Sequence, residues 1–164
     1  MKRLECGVLD TSALISVLYG EPGEEAFLEG FLRCDRLRVC AGTLAEISVV
    51  LLYDRDQAGV DHLDELLRRV GAEIVPLSVE RMALFRDGYA RFGKGKNPAG
   101  LNFGDAFSYS LSKYLDVPLF FQGLDFAKTD IKPAMRVLGY PISRKGVPSL
   151  PRPEFKRLLD QGRE

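Results

Sequence analysis

Short apolar runs alternate with helix-patterned segments along most of this chain, and four of the junctions carry an acid. These are Asp10 in GVLDTSAL, Glu46 in CAGTLAEISVVL, Asp105 in LNFGDAFSYSLSK and Asp125 in PLFFQGLDFAKTDI. Strands alternating with helices predict an α/β fold, a three-layer α/β/α sandwich around a mostly parallel sheet. Ligands in such sheets bind beyond the carboxyl ends of the strands, so strand-terminal acids are expected to meet at one edge. Carboxylates sharing a crevice repel one another unless a divalent cation lies between them.

The periodicities predict strands over residues 3–9, 37–40, 73–75 and 118–121, with a last edge strand over 136–138. Helices are expected over 11–19, 24–33, 43–54, 60–70, 78–92 and 103–115, with DRDQAG as a turn between the third and the fourth. GKGKNPAGLN reads as a flexible loop. Residues 1–140 are expected to form one domain. Residues 141–164 carry four prolines in their first thirteen positions and read as an arm or tail.

Among 164 residues, Lys plus Arg and Asp plus Glu each number 23, so any nucleic acid must be bound by a local basic patch. The three cysteines, Cys6, Cys34 and Cys40, form no C-x-x-C pair and read as reduced core thiols. The lone histidine, His62, lies in a polar helical stretch, which argues against Ser-His-Asp, Cys-His and histidine-rich zinc chemistry. No apolar run approaches a membrane span, and the N-terminus enters a strand pattern directly, so a cytoplasmic protein without a signal peptide is expected.

Each acid has a plainer explanation. Thr43 with Glu46, and Asn102 with Asp105, have the spacing of a capping box, in which the acid bonds back to the start of its helix. Asp10 and Asp125 stand where an N-cap would. What favours a metal is the absence of a basic residue in the turn adjoining Asp10, Glu46 or Asp105, where apolar neighbours make an unpaired charge costly. Hard oxygen donors suit Mg²⁺ or Mn²⁺. Thr11, Ser12 and Asn102 fit either capping or contact with a phosphate or a metal-held water. Arg91, Lys94 and Lys96 form a positive patch before Asp105, open to a solvated loop or to an RNA backbone. GKGKN lacks the spacing of a phosphate-binding P-loop.

The segments LDTSAL, TLAEIS, YARFGKGKNPAGLNFGDAFSYSLSK and PLFFQGLDFAKTDI resemble the PIN-domain ribonucleases, specifically VapC-type toxins, over residues 3–135. The resemblance implies Mg²⁺ or Mn²⁺ held by Asp10, Glu46, Asp105 and Asp125, with Ser12 as the hydroxyl beside the metal. It also implies endonucleolytic RNA cleavage leaving a 3′-hydroxyl and a 5′-phosphate, a homodimer, and silencing by a VapB-type antitoxin. The arm after residue 140 departs from most such toxins. Two rivals stand beside this reading. A haloacid-dehalogenase-type phosphatase requires a second Asp where this chain has Ser12. A degenerate PIN module would bind RNA or protein without catalysis.

Overall fold

The structure, a computed structural model, describes residues 3–135. The expected strand at 136–138, the arm at 141–164 and the domain boundary at 140 lie outside them. Four parallel strands form the sheet among the described residues: β1 (Gly7–Leu9), β2 (Leu37–Cys40), β3 (Glu73–Val75) and β4 (Leu119–Phe120). Five α-helices connect them: α1 (Thr11–Tyr19), α2 (Glu24–Leu32), α3 (Ala41–Val70), α4 (Val79–Phe92) and α5 (Asp105–Leu115).

The strand order is β3-β2-β1-β4. Successive strands move outward from β1 in one direction, through β2 to β3, and then the chain crosses back to set β4 on the other side of β1. The reversal between β1 and β4 is a topological switch point, where two loops part and leave a crevice. The register pairs Val8 with Leu119 and Leu9 with Phe120, which brings the residues after Leu9 beside those after Phe120.

Side chains alternate across a strand, and here both faces are buried. Leu9, Leu37, Val39 and Phe120 pack with α1, α2 and α3 in one apolar cluster. Val8, Cys40, Leu119 and Phe121 pack with Tyr109 and Leu111 of α5 in another. This is the expected three-layer sandwich, and it explains why the two strands β1 and β4 are apolar without interruption. All three cysteines are buried and free. No helix among the described residues is long and apolar enough to cross a membrane.

Several boundaries differ from expectation. The strand expected over 3–9 shortens to Gly7–Leu9, preceded by an isolated bridge from Leu4 to Cys34. The helix expected from residue 43 begins at Ala41. It continues to Val70 through a single non-helical residue, Asp56 (φ 54°, ψ −156°), inside the expected turn. The loop expected to be flexible is knit together: Leu101 N–H donates to Phe92 O and Lys94 N–H to Leu101 O, both at 2.9 Å, and Asn97 Oδ1 accepts from Ala99 N–H at 2.8 Å.

Candidate active site

Asp10 is the first residue past β1 and N-caps α1: its Oδ2 accepts from Ser12 N–H at 2.9 Å and from Ser12 Oγ–H at 2.5 Å. Its backbone N–H donates to Phe120 O at 3.0 Å, so β4 fixes its height at the sheet edge. At 1 % exposure the side chain is out of water, and Oδ1 has no hydrogen-bond partner. Burial pushes the carboxyl above its ordinary 3.8, against the Ser12 hydroxyl, the nearby Ser108 hydroxyl and the amides of Ser12 and Thr11.

Glu46 does not cap its helix as the Thr43 spacing suggests. Because α3 starts at Ala41, Thr43 already lies inside the first turn, where it is buried and pairs with Ser108 Oγ at 3.0 Å. Glu46 is thereby one turn further in, half-buried, and its Oε2 accepts from Thr11 Oγ1–H at 2.7 Å. A Cβ at Gly104 would lie 2.0 Å from Glu46 Oε1, so the carboxylate rests against backbone that only glycine leaves open.

The second capping box is formed in full. Asn102 N–H donates to Asp105 Oδ2 at 2.7 Å, and Asp105 N–H donates to Asn102 Oδ1 at 2.9 Å. Capping and function do not compete here, because the box orients Asp105 at the mouth of the pocket. Burial, then the charge of Asp10, then those of Glu46 and Asp125, push the Asp105 carboxyl up to about 8, with only the Asn102 amide opposing. That three other acids act on Asp105 is the electrostatic mark of a shared crevice. Asp125 is exposed and precedes the short 3-10 helix Phe126–Lys128 without making a side-chain cap bond.

A pocket of about 120 Å³ opens at the switch point, lined by all four acids together with Thr11, Ser12 and Asn102. Seven of the ten residues singled out from the sequence thus meet. Arg91, Lys94 and Lys96 lie outside this lining. Arg91 is held by Asp87 (3.1 Å) and Asp130 (3.2 Å), and Asp130 also accepts from Tyr109 Oη–H at 3.0 Å and from Lys113 Nζ at 3.2 Å. His62 is also absent from the pocket lining.

The lining includes residues that sequence reasoning passed over, among them Tyr19, Val50 and Gln122. Tyr19 donates its hydroxyl to Asp54 at 2.8 Å and carries the Arg55 guanidinium 4.3 Å from its ring centroid. Burial and the Asp54 bond push its hydroxyl up to about 12. Gln122 had a legible signal, since it directly follows the apolar run PLFF, as Asp10 follows GVL.

The donor set is one a hard divalent cation prefers, all oxygen and mostly anionic, and Asp10 Oδ1 is a buried acceptor in want of a positive partner. Among the described residues, Asp10, Asp105 and Asp125 make no ion pair with lysine or arginine. Nor are three acids, or acids with His or Cys, gathered tightly enough to close on an ion in this conformation. Ser12, Thr11 and the Asn102 amide hold them instead. The residues fit a divalent ion in chemistry and in charge, and gripping one would exchange some of these bonds for coordination.

Comparison with known proteins places the same segment in one group. The PIN domain family model matches residues 7–132. Ribonuclease VapC30 of Mycobacterium tuberculosis is 38 % identical over 125 residues, which is 76 % of this chain and 95 % of that protein. Ribonuclease VapC of Mycolicibacterium smegmatis is also 38 % identical over 125 residues, 76 % of this chain and 96 % of that one. Among solved structures, the Sarcin-Ricin loop cleaving toxin VapC20 of Mycobacterium tuberculosis matches with a TM-score of 0.60 at 11 % identity, covering 77 % of this chain and 99 % of its own. At that identity the likeness speaks to the fold alone.

Proposed function

The chain belongs to the PIN-domain family, among the VapC ribonucleases, and from that premise we propose that it is a divalent-metal-dependent endoribonuclease and the toxin of a toxin–antitoxin pair. The observation that carries this reading is the meeting of Asp10, Glu46, Asp105 and Asp125 in one pocket, with a buried, unpartnered Asp10 Oδ1. A site that only bound protein or RNA would have no need to concentrate negative charge against its own fold. An acidic pocket also repels the phosphates of RNA, so a bound cation is what makes it hospitable to that substrate.

In this reading Asp10, Glu46, Asp105 and Asp125 hold Mg²⁺ or Mn²⁺. When bound, such an ion lowers the pKa of an attacking water and neutralises charge building up on the phosphodiester. The chain's own contributions are positional. Ser12 locks Asp10 through two hydrogen bonds, Thr11 steadies Glu46, and the Asn102 box aims Asp105. With no histidine in the pocket, proton acceptance falls to a carboxylate. Asn102 is exposed at the rim, and Lys94 and Lys96 extend a basic approach for the RNA backbone. Hydrolysis in this manner leaves a 3′-hydroxyl and a 5′-phosphate. A VapB-type antitoxin as inhibitor, a homodimer and a cytoplasmic location complete the proposal.

The test is cleavage of total RNA by the purified chain with Mg²⁺ or Mn²⁺ and with chelator, followed by mapping of the new ends. Cleavage that needs the ion and is lost in Asp10→Asn and Asp105→Asn, with circular dichroism unchanged, supports the assignment. Undiminished cleavage by either variant sinks it. A chain that binds RNA but cuts none, with or without metal, would instead be a binding module.

A further inference from the structure

Asp10 Oδ1 is not the only orphaned oxygen in the pocket. Gln122 Oε1 is also buried without a hydrogen-bond partner, and Gln122 lines the same pocket at 6 % exposure. A short chain of bonds fixes the two residues in register across the switch point. Gln122 N–H donates to Ser12 Oγ at 3.0 Å, Ser12 Oγ–H donates to Asp10 Oδ2 at 2.5 Å, and Asp10 N–H returns to Phe120 O at 3.0 Å. The Ser108 hydroxyl, also near Asp10, is paired with Thr43 at 3.0 Å.

A buried carbonyl oxygen without a donor is costly and needs an explanation. Here two acceptors, one charged and one neutral, belong to residues that line one small crevice at the ends of adjacent strands. While Asp10 is ionised, neither can satisfy the other, since both only accept. What satisfies both is a cation, and side-chain amide oxygens are ordinary ligands of hard divalent ions. A neutral oxygen is also the right kind of addition to this site. Four carboxylates already share this pocket, and a fifth donor without charge fills a coordination position without adding to their mutual repulsion.

We propose that Gln122 is a further metal-binding residue of this site, offering its side-chain carbonyl oxygen beside Asp10 to the divalent ion. The inference rests on the metal-dependent reading of the site and extends it to a residue outside the acid quartet.

The test is a calorimetric titration of the full chain with Mn²⁺, without RNA, for the wild type, Gln122→Met, Gln122→Glu and Gln122→Asn, with thermal denaturation of each in chelator and in Mn²⁺. Gln122→Met, of similar length and unable to ligate, is expected to bind Mn²⁺ about tenfold more weakly, comparable to losing a supporting group at a metal site. It should also lose part of the Mn²⁺-dependent rise in Tm. Its Tm in chelator should equal or exceed the wild type's, because an unsatisfied buried polar group has gone. Gln122→Glu is expected to bind at least as tightly as the wild type. Gln122→Asn, one methylene short, should fall between the wild type and Gln122→Met.

Wild-type Mn²⁺ affinity in Gln122→Met overturns the proposal, and shows that the amide meets only water or the pocket wall. Weaker binding in Gln122→Glu overturns it too, because it means that the amide N–H, not the oxygen, faces Asp10. Should Gln122→Met not fold, the Glu and Asn variants decide the question alone. A wild type that takes up no Mn²⁺ is a separate result, since it brings down the metal-dependent reading before any variant is compared.

Discussion

Thr11 Oγ1 donates to Glu46 Oε2 at 2.7 Å, across 35 residues of sequence, and so ties the first turn of α1 to α3 at the edge of the pocket. The bond explains how an acid inside a long helix is held toward a site built on strand ends. Removing the donor while keeping the shape, in Thr11→Val, is expected to cost about 1 kcal/mol of stability, the usual net worth of such a bond. RNA cleavage should fall about tenfold as Glu46 loses its orientation, and Thr11→Ser should restore it. Equal cleavage by Thr11→Val and wild type, with denaturant titration showing the stability loss alone, would make the contact structural only.

Gly104 tests the same carboxylate from the other side. A Cβ there would stand 2.0 Å from Glu46 Oε1. The obstructed atom is the end of a flexible side chain, so Glu46 can swing away and the fold should survive. Gly104→Ala is therefore expected to shift Tm little. Displacing a site residue by about 1 Å costs on the order of 10²-fold in rate, so cleavage should fall by about that much. A variant that cleaves normally would mean that Glu46 works from a different rotamer.

The outline of the site was legible because apolar runs and the acids after them are local features of the sequence. Asp10 and Asp125 follow the apolar runs of β1 and β4, which the sheet sets side by side, while Asp105 follows no strand and reaches the pocket at the start of α5. Glu46 was legible as an acid but not in its role, since Thr43 three residues earlier imitates a capping box. Only the true start of α3 at Ala41 shows that Thr43 is buried against Ser108 instead. The strand order was not legible, because nothing local says that β4 returns to the far side of β1. That is also why Gln122 was passed over: an uncharged residue gains meaning only once β4 is known to lie beside Asp10. The partners of Arg91 depended on long-range packing in the same way, Asp130 being 39 residues away.

Proton uptake by the acid pocket predicts an unusual pH dependence of stability. In the metal-free protein the Asp105 carboxyl is raised from 3.8 to about 8. Between those limits the folded state binds a proton that the unfolded state has released, so stability falls as pH rises. The contribution is full below the unfolded value and gone above the folded one. Asp10, also raised by burial, acts with the same sign. Urea midpoints in chelator should therefore decline from pH 6 to pH 9, and Asp105→Asn should flatten part of that slope. Mn²⁺, which competes with the proton for the same oxygens, should stabilise the wild type more at pH 8 than at pH 6. A wild type and an Asp105→Asn variant with parallel slopes would count against the raised carboxyl.

The basic patch divides into two kinds of residue, and substitutions should separate them. Arg91 is engaged by Asp87 and Asp130 and lies 4.6 Å from the centroid of the Phe92 ring, while Asp130 is shared with Tyr109 and Lys113. Arg91→Ala removes one of several partners from this network, so its first effect should be a lowered Tm. Lys94 and Lys96 sit exposed on the turn that Gly93 and Leu101 bridge, and neither helps to close it through its side chain. Lys94→Ala with Lys96→Ala should leave Tm unchanged. If both lysines contact phosphates, the double variant should bind single-stranded RNA more weakly at every sequence. The slope of log affinity against log salt should then lessen by about 0.7 for each lysine lost. The measurement is RNA binding at several salt concentrations under catalytically silent conditions, in chelator or in the Asp10→Asn background. An unchanged slope would mean that these lysines are only solvated, and that RNA approaches the acid pocket from another side.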